Sequence, residues 1–110
     1  MKTESLGTLE LMLLLALMRL EPHAYGVSIA GELETVTGRV VSLGAVYATL
    51  ERLTDKGLVT SEIGEPTAHR GGRAKRFFKV TARGLKAVKE TQRALGALTR
   101  GIPKLGGEMA

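Results

Sequence analysis

The sequence predicts a mainly α-helical fold with one small β-hairpin, and three observations carry that prediction. Three helix-spaced apolar segments fill the first half of the chain, two alternating segments then flank a Gly-rich connection, and a fourth helix-spaced segment comes last. A chain of 110 residues, 44% of them hydrophobic, makes about one compact soluble domain.

The first helix opens at Ser5, a suitable N-cap, and runs to about Leu20, where Glu21-Pro22 stops it. Its apolar residues surround nearly the whole circumference, so one contact face inside its own domain would leave Leu and Met side chains wet. Part of this helix is therefore expected to meet a second subunit. The second helix spans Tyr25 to about Thr37, with Val27, Ile29, Ala30, Leu33 and Val36 at roughly helical spacing and Gly38 as a left-handed stop. Ser42 can cap a third helix that ends at Gly57. Leu43, Val46, Leu50 and Leu53 share its inner face, while Gly44, Ala45, Ala48 and Arg52 lie opposite and Tyr47 stands at the flank. Small residues in the first turns let that outer face approach something closely. A neighbouring helix and a DNA major groove both satisfy this description.

The next stretch of chain favours the groove. Residues 58–63, "LVTSEI", and 75–80, "KRFFKV", alternate as strands, and "GEPTAHRGGRA" between them reads as the long loop of a hairpin. "HRGGRAKRFFK", 69–79, holds five Lys or Arg residues, one His and no acid. Residues 1–69 carry five basic and nine acidic groups, whereas 70–104 carry eleven basic groups against the single Glu90. A positive field confined to one region suits a polyanion, because neutralising phosphates releases condensed counterions. Arg70, Arg73, Lys75 and Arg76 thus stand on a projection beside the third helix, where they can reach the surface that helix touches.

Thr81 can cap a fourth helix in which Leu85, Val88, Leu95 and Ile102 recur near heptad spacing, with Lys86, Lys89 and Arg93 outward. This predicts a dimer arm, weakened by Gly96, Gly101 and Pro103. A basic helix lying on a membrane would need a wider apolar stripe and aromatic anchors. The chain divides accordingly into a winged helix-turn-helix DNA-binding domain over 1–80 and a C-terminal dimerisation helix and tail over 81–110.

Other classes fit poorly. The absence of Cys excludes disulfides and thiolate metal sites, and His23, His69 and Asp55 have no visible partners for catalysis or for holding a metal. No cofactor is expected. "RGGRAK" lacks the spacing of a phosphate-binding P-loop. "LMLLLALM", 11–18, is shorter than the roughly 20 residues of a membrane span, and no basic leader precedes it, so a cytoplasmic protein is expected. A winged helix that binds protein or RNA instead of duplex DNA is the alternative; its RNA form rests on one ring, Phe77, because strand alternation sends either Phe77 or Phe78 into the core.

"LGTLELMLLLALMRLEPHAYGVSIAGELE", "SLGAVYATLERLTDKGLVTS" and "RGGRAKRFFKVTARG" resemble the PadR family of bacterial transcriptional regulators from about Leu6 to Gly84. That resemblance implies a homodimeric repressor whose third helix reads the major groove of a near-palindromic operator in double-stranded DNA while the wing contacts the flanking backbone. Ser42, Gly44, Ala45, Tyr47 and Ala48 match the recognition-helix positions, and Arg73, Lys75 and Arg76 match the wing. For Tyr47 a phosphate hydrogen bond and a ring packed against the second helix both remain open. The family's dimer joins a C-terminal helix to the partner's first helix, which would place Leu11, Leu14, Leu15 and Met18 against Leu85, Val88, Leu95 and Ile102. Some members also bind flat hydrophobic effectors at the dimer interface, for which Met12, Leu15, Met18 and Leu95 would be wall residues here, although this chain has no Trp.

Overall fold

The computed structural model of the chain describes residues 6–64 and 74–106. Helices α1 (Thr8–Leu20), α2 (Gly26–Thr37) and α3 (Leu43–Asp55) precede an antiparallel hairpin of β1 (Val59–Ile63) and β2 (Arg76–Val80), and α4 (Ala82–Thr99) leads to a short 3-10 turn at Pro103–Leu105. This is a winged helix-turn-helix followed by a C-terminal helix. Local chemistry sets most boundaries. The Ser42 Oγ accepts from the Ala45 N–H at 3.1 Å, and the Thr81 Oγ1 accepts from the Gly84 N–H at 2.9 Å, so α3 and α4 both begin on hydroxyl caps. Gly38 closes α2 at φ 76°, a conformation that costs a side-chain-bearing residue but not glycine. The start of α1 is corrected: its N-cap is Gly7, and Ser5 lies outside the described residues.

One core unites the four helices and the hairpin. Leu13, Leu14 and Leu17 of α1 meet Ile29 and Leu33 of α2, Val46, Leu50 and Leu53 of α3, Leu58, Phe78 of β2, and Ala87 and Val88 of α4, all almost fully buried. Each large apolar side chain placed there contributes about 1.5–3 kcal/mol relative to exposure. Two residues expected at a dimer interface are thereby corrected. Leu14 is 0% and Val88 2% exposed within the single chain, so neither is available to a second subunit. Leu43 is corrected in the opposite sense: at 42% exposure it sits at the open end of α3, not on the buried stripe. Val27 and Val36 are likewise exposed, which leaves Ile29 and Leu33 as the buried side of α2. Ile102 falls beyond the end of α4 and so cannot continue its heptad.

The hairpin register pairs Val59 with Val80, Ser61 with Phe78 and Ile63 with Arg76. On its other edge β2 is tied to the connection between α1 and α2: the Phe78 N–H donates to the Ala24 carbonyl at 2.8 Å, and the Val80 N–H to the Glu21 Oε2 at 3.0 Å. Of the paired phenylalanines, Phe78 is the core residue.

The joint between hairpin and α4 is tight enough to test. A Cβ on Gly84 would lie 2.2 Å from the Leu58 carbonyl oxygen, an atom that cannot swing aside. Gly84→Ala is expected to cost about 1–3 kcal/mol of unfolding free energy by overpacking. Gly44 has nothing within 4 Å of its Cβ position, so Gly44→Ala should be neutral or up to about 1 kcal/mol stabilising through helix propensity. Thermal and urea unfolding of the two variants measure the contrast, and equal effects would contradict the close approach at Gly84.

Candidate nucleic-acid interface

The outer face of α3 is built from what its side chains lack. Gly44 and Ala48 are exposed and Ala45 is half-buried, so the first turns carry no long side chain. Tyr47, 39% exposed, leans its ring on the start of α2: a Cβ on Gly26 would come within 2.3 Å of the Tyr47 hydroxyl oxygen. The packed arrangement anticipated for this ring is therefore present, with the hydroxyl over the first residue of α2. Ser42 caps the helix with its side chain and stands exposed beside this face.

Arg52 is placed differently from the rest of the expected set. Its guanidinium donates to the Thr49 Oγ1 at 3.2 Å and lies 3.8 Å from Glu10 Oε2, so it is drawn toward the flank of α3. Glu10 is a residue that sequence reasoning missed. Only 8% exposed, it accepts from the Gly7 N–H at 3.0 Å and from the Lys56 Nζ at 3.1 and 3.0 Å. Burial alone would raise its carboxyl; the Gly7 N–H, the Lys56 ammonium and the Arg52 guanidinium outweigh that and hold it below its ordinary value near 4.5. The single local signal was its place in the first turn of α1, and its partners lie on the far end of α3.

The hairpin stands beside α3 and is joined to it. The Arg76 Nε donates to the Ser61 Oγ at 2.9 Å and its Nη1 to the Glu51 Oε2 at 3.3 Å, with its guanidinium carbon 5.1 Å from the centre of the Phe78 ring. Lys75 is exposed, with its ammonium 4.5 Å over the Tyr25 ring. Arg70 and Arg73 lie outside the described residues. Phe77 is half-buried and packs edge-on against Tyr25 and His23, at centroid distances of 5.9 and 6.2 Å, so the ring that an RNA-stacking role required is already engaged.

On another side of the molecule, Met12, Leu15 and Met18 of α1 and Leu33 and Val36 of α2 line an apolar cleft of about 470 Å³, with the Arg19–Glu32 pair, 2.6 Å apart, at its rim. Leu11 is half-buried on the same helix. Within the single chain Leu95 does not line this cleft. It is instead exposed on the outer half of α4 with Leu98, while Leu85 is half-buried nearer the core. Among the described residues, no helix is long and apolar enough to cross a membrane.

Known proteins share this arrangement. The sequence profile described as the transcriptional regulator PadR-like family matches residues 14–90. The transcriptional regulator Rv3488 of Mycobacterium tuberculosis is 41% identical over 71 residues, a match covering 64% of this chain and 61% of that protein. Among solved structures, a PadR family transcriptional regulator from Eggerthella lenta superposes with a TM-score of 0.66 at 27% identity, over 88% of this chain and 86% of that one. Bacillus subtilis PadR in complex with operator DNA superposes with a TM-score of 0.65 at 20% identity, over 77% of this chain and 47% of that one.

The buried carboxylate gives the fold an acid-sensitive element. Because folding lowers its pKa, Glu10 contributes stability that is present above its ordinary value and is lost as pH falls through its folded-state value. Glu10→Gln should cost about 1.5–3 kcal/mol at neutral pH, the worth of hydrogen bonds to a charged group. Its stability should then decline less than the parent's between neutral pH and the acid range below about 4.5. Chemical unfolding followed as a function of pH checks both points; parallel curves for parent and variant would remove Glu10 from the account.

Proposed function

From the premise that the chain belongs to the PadR-like family of transcriptional regulators, we propose that it is a homodimeric repressor that reads a near-palindromic operator in duplex DNA. One observation carries the reading: an exposed helix face of small residues, Gly44 and Ala48, beside a basic hairpin that is bonded to the same helix. Small residues let the α3 backbone approach base edges, and the wing cations Arg70, Arg73 and Lys75 neutralise phosphates and set register without discriminating sequence. Ser42 and Ala45 complete the groove-facing set, with Tyr47, packed on α2, at its flank. The operator complex of Bacillus subtilis PadR supports duplex DNA as the ligand.

The dimer would use the apolar cleft between α1 and α2. Leu11, Leu15 and Met18 remain partly open in the single chain, and so do Leu85, Leu95 and Leu98 on α4. A partner's α4 seated against α1 would cover both sets, in keeping with the over-apolar first helix. A small hydrophobic effector would compete for, or complete, the same cleft, with Met12, Leu15, Met18 and Val36 as its walls.

Selection of bound fragments from a random duplex library tests the reading, and an inverted repeat is the expected motif. Ala48→Glu places bulk and negative charge at the groove, so operator affinity should fall at least about tenfold while melting temperature and mass are unchanged. Equal operator affinity at equal salt would take α3 out of the groove. Light scattering should give twice the 11.7 kDa of one chain. Met18→Glu should shift that value toward the monomer, and a parent that is already monomeric would overturn the dimer.

A further inference from the structure

Gly44, Ala48 and Glu51 succeed one another on α3 at steps of four and three, so they lie on one exposed line. The first two are small, which makes Glu51 the first side chain on that line to project. It is an acid on a face turned toward a polyanion. Its carboxylate is also held: the Arg76 Nη1 donates to Oε2 at 3.3 Å, while the Arg76 Nε is bonded to the Ser61 Oγ at 2.9 Å. Side-chain exposures of 39% for Arg76 and 59% for Glu51 leave this pair open to solvent, where an ion pair adds little to stability. Structural support is therefore a weak reason for placing a carboxylate there.

We infer that Glu51 is a specificity-determining residue whose carboxylate accepts from the amino group of cytosine in the major groove, and that Arg76 is the positioning residue that aims it. This rests on the duplex-reading assignment above. A carboxylate can only accept. Guanine presents acceptors N7 and O6 in the major groove, and thymine presents acceptor O4 and a methyl group, so both repel it. Adenine offers its amino group between its own N7 acceptor and the paired thymine's O4, whereas the cytosine amino group has an acceptor on one side only, the paired guanine's O6, and its own ring carries none on that edge. Without an amino donor opposite, the negative charge weakens binding, so Glu51 acts against wrong sequences as well as for the right one. Arg76, already committed at Nε and Nη1, offsets part of that charge and fixes its direction. In this arrangement the hairpin takes part in base selection through α3, and Arg76 is separated in role from the other wing cations.

Library selection with the parent, Glu51→Ala, Glu51→Gln, Arg76→Ala and Arg76→Lys, together with salt titrations on a random duplex, tests this. The parent motif should contain one cytosine-restricted position per half-site. Glu51→Ala should lower the preference at that position alone by about tenfold and strengthen random-duplex binding by about two- to fivefold. Glu51→Gln should move the same position toward adenine, since an amide can pair with N6 and N7 together. Arg76→Ala should blur that position with the salt slope unchanged, and Arg76→Lys should retain it. A Glu51→Ala motif identical to the parent's overturns the assignment. So does an Arg76→Ala variant that keeps the cytosine position and loses about one unit of salt slope, which is the behaviour of a phosphate contact. Failure of the parent itself to enrich any inverted repeat would instead bring down the duplex-reading assignment, and this inference with it.

Discussion

The carbonyl of Leu58 accepts the Thr81 N–H at 3.0 Å, and Gly84 sits so near the same oxygen that it has no room for a Cβ. Four chain segments converge on that atom: the exit of α3, the start of β1, the end of β2 and the first turn of α4. Thr81 adds its own hydroxyl, which donates to the Gly57 carbonyl at 2.8 Å and accepts from the Gly84 N–H. With the hairpin and α4 pinned there, α3 has its outgoing end fixed, and its inward residues Val46, Leu50 and Leu53 can pack on α1 in one orientation. The position of the wing relative to α3 is a product of this corner more than of any charge on the wing.

Electrostatics are organised in two layers with different purposes. Inside, Glu10 is sheltered and joined to Lys56 and Arg52, which connects the beginning of α1 to the end of α3. Outside, the Arg76–Glu51 pair connects wing to helix in solvent, where its worth to folding is small and its geometry matters more than its energy. A net charge of +5 conceals this division, because several of the cations are already engaged with carboxylates, hydroxyls or rings.

The helices were legible in the sequence because their ends are written in local chemistry. Ser42 and Thr81 offer side-chain caps and Gly38 a left-handed exit, and each acts within a few residues of itself. The basic hairpin was legible for the same reason. What periodicity does not reveal is which side of an all-apolar helix faces inward. Leu14 and Leu15 are neighbours of nearly equal hydrophobicity, and only the packing of α2, α3 and α4 decides that the first is buried and the second borders a cleft. Val88 belongs to the core for a comparable reason, since the docking of α4 at Gly84 turns that face toward α1. At the candidate interface the small residues of α3 could be read from spacing, but the partners of Arg52 and Arg76 could not. Glu10 and Glu51 are distant in sequence, and nothing near either of them announces the pairing.

The contact between Tyr47 and Gly26 has a bearing on how loss-of-binding variants of such a protein are interpreted. The ring of the outward helix rests on a bare backbone position at the start of the preceding helix, so its resting place depends on a missing methyl group. A side chain at position 26 would have to displace that ring, while leaving every cation chemically intact. The influence of that position is that of a shim under an instrument: it sets where one ring rests, and adds or removes no charge.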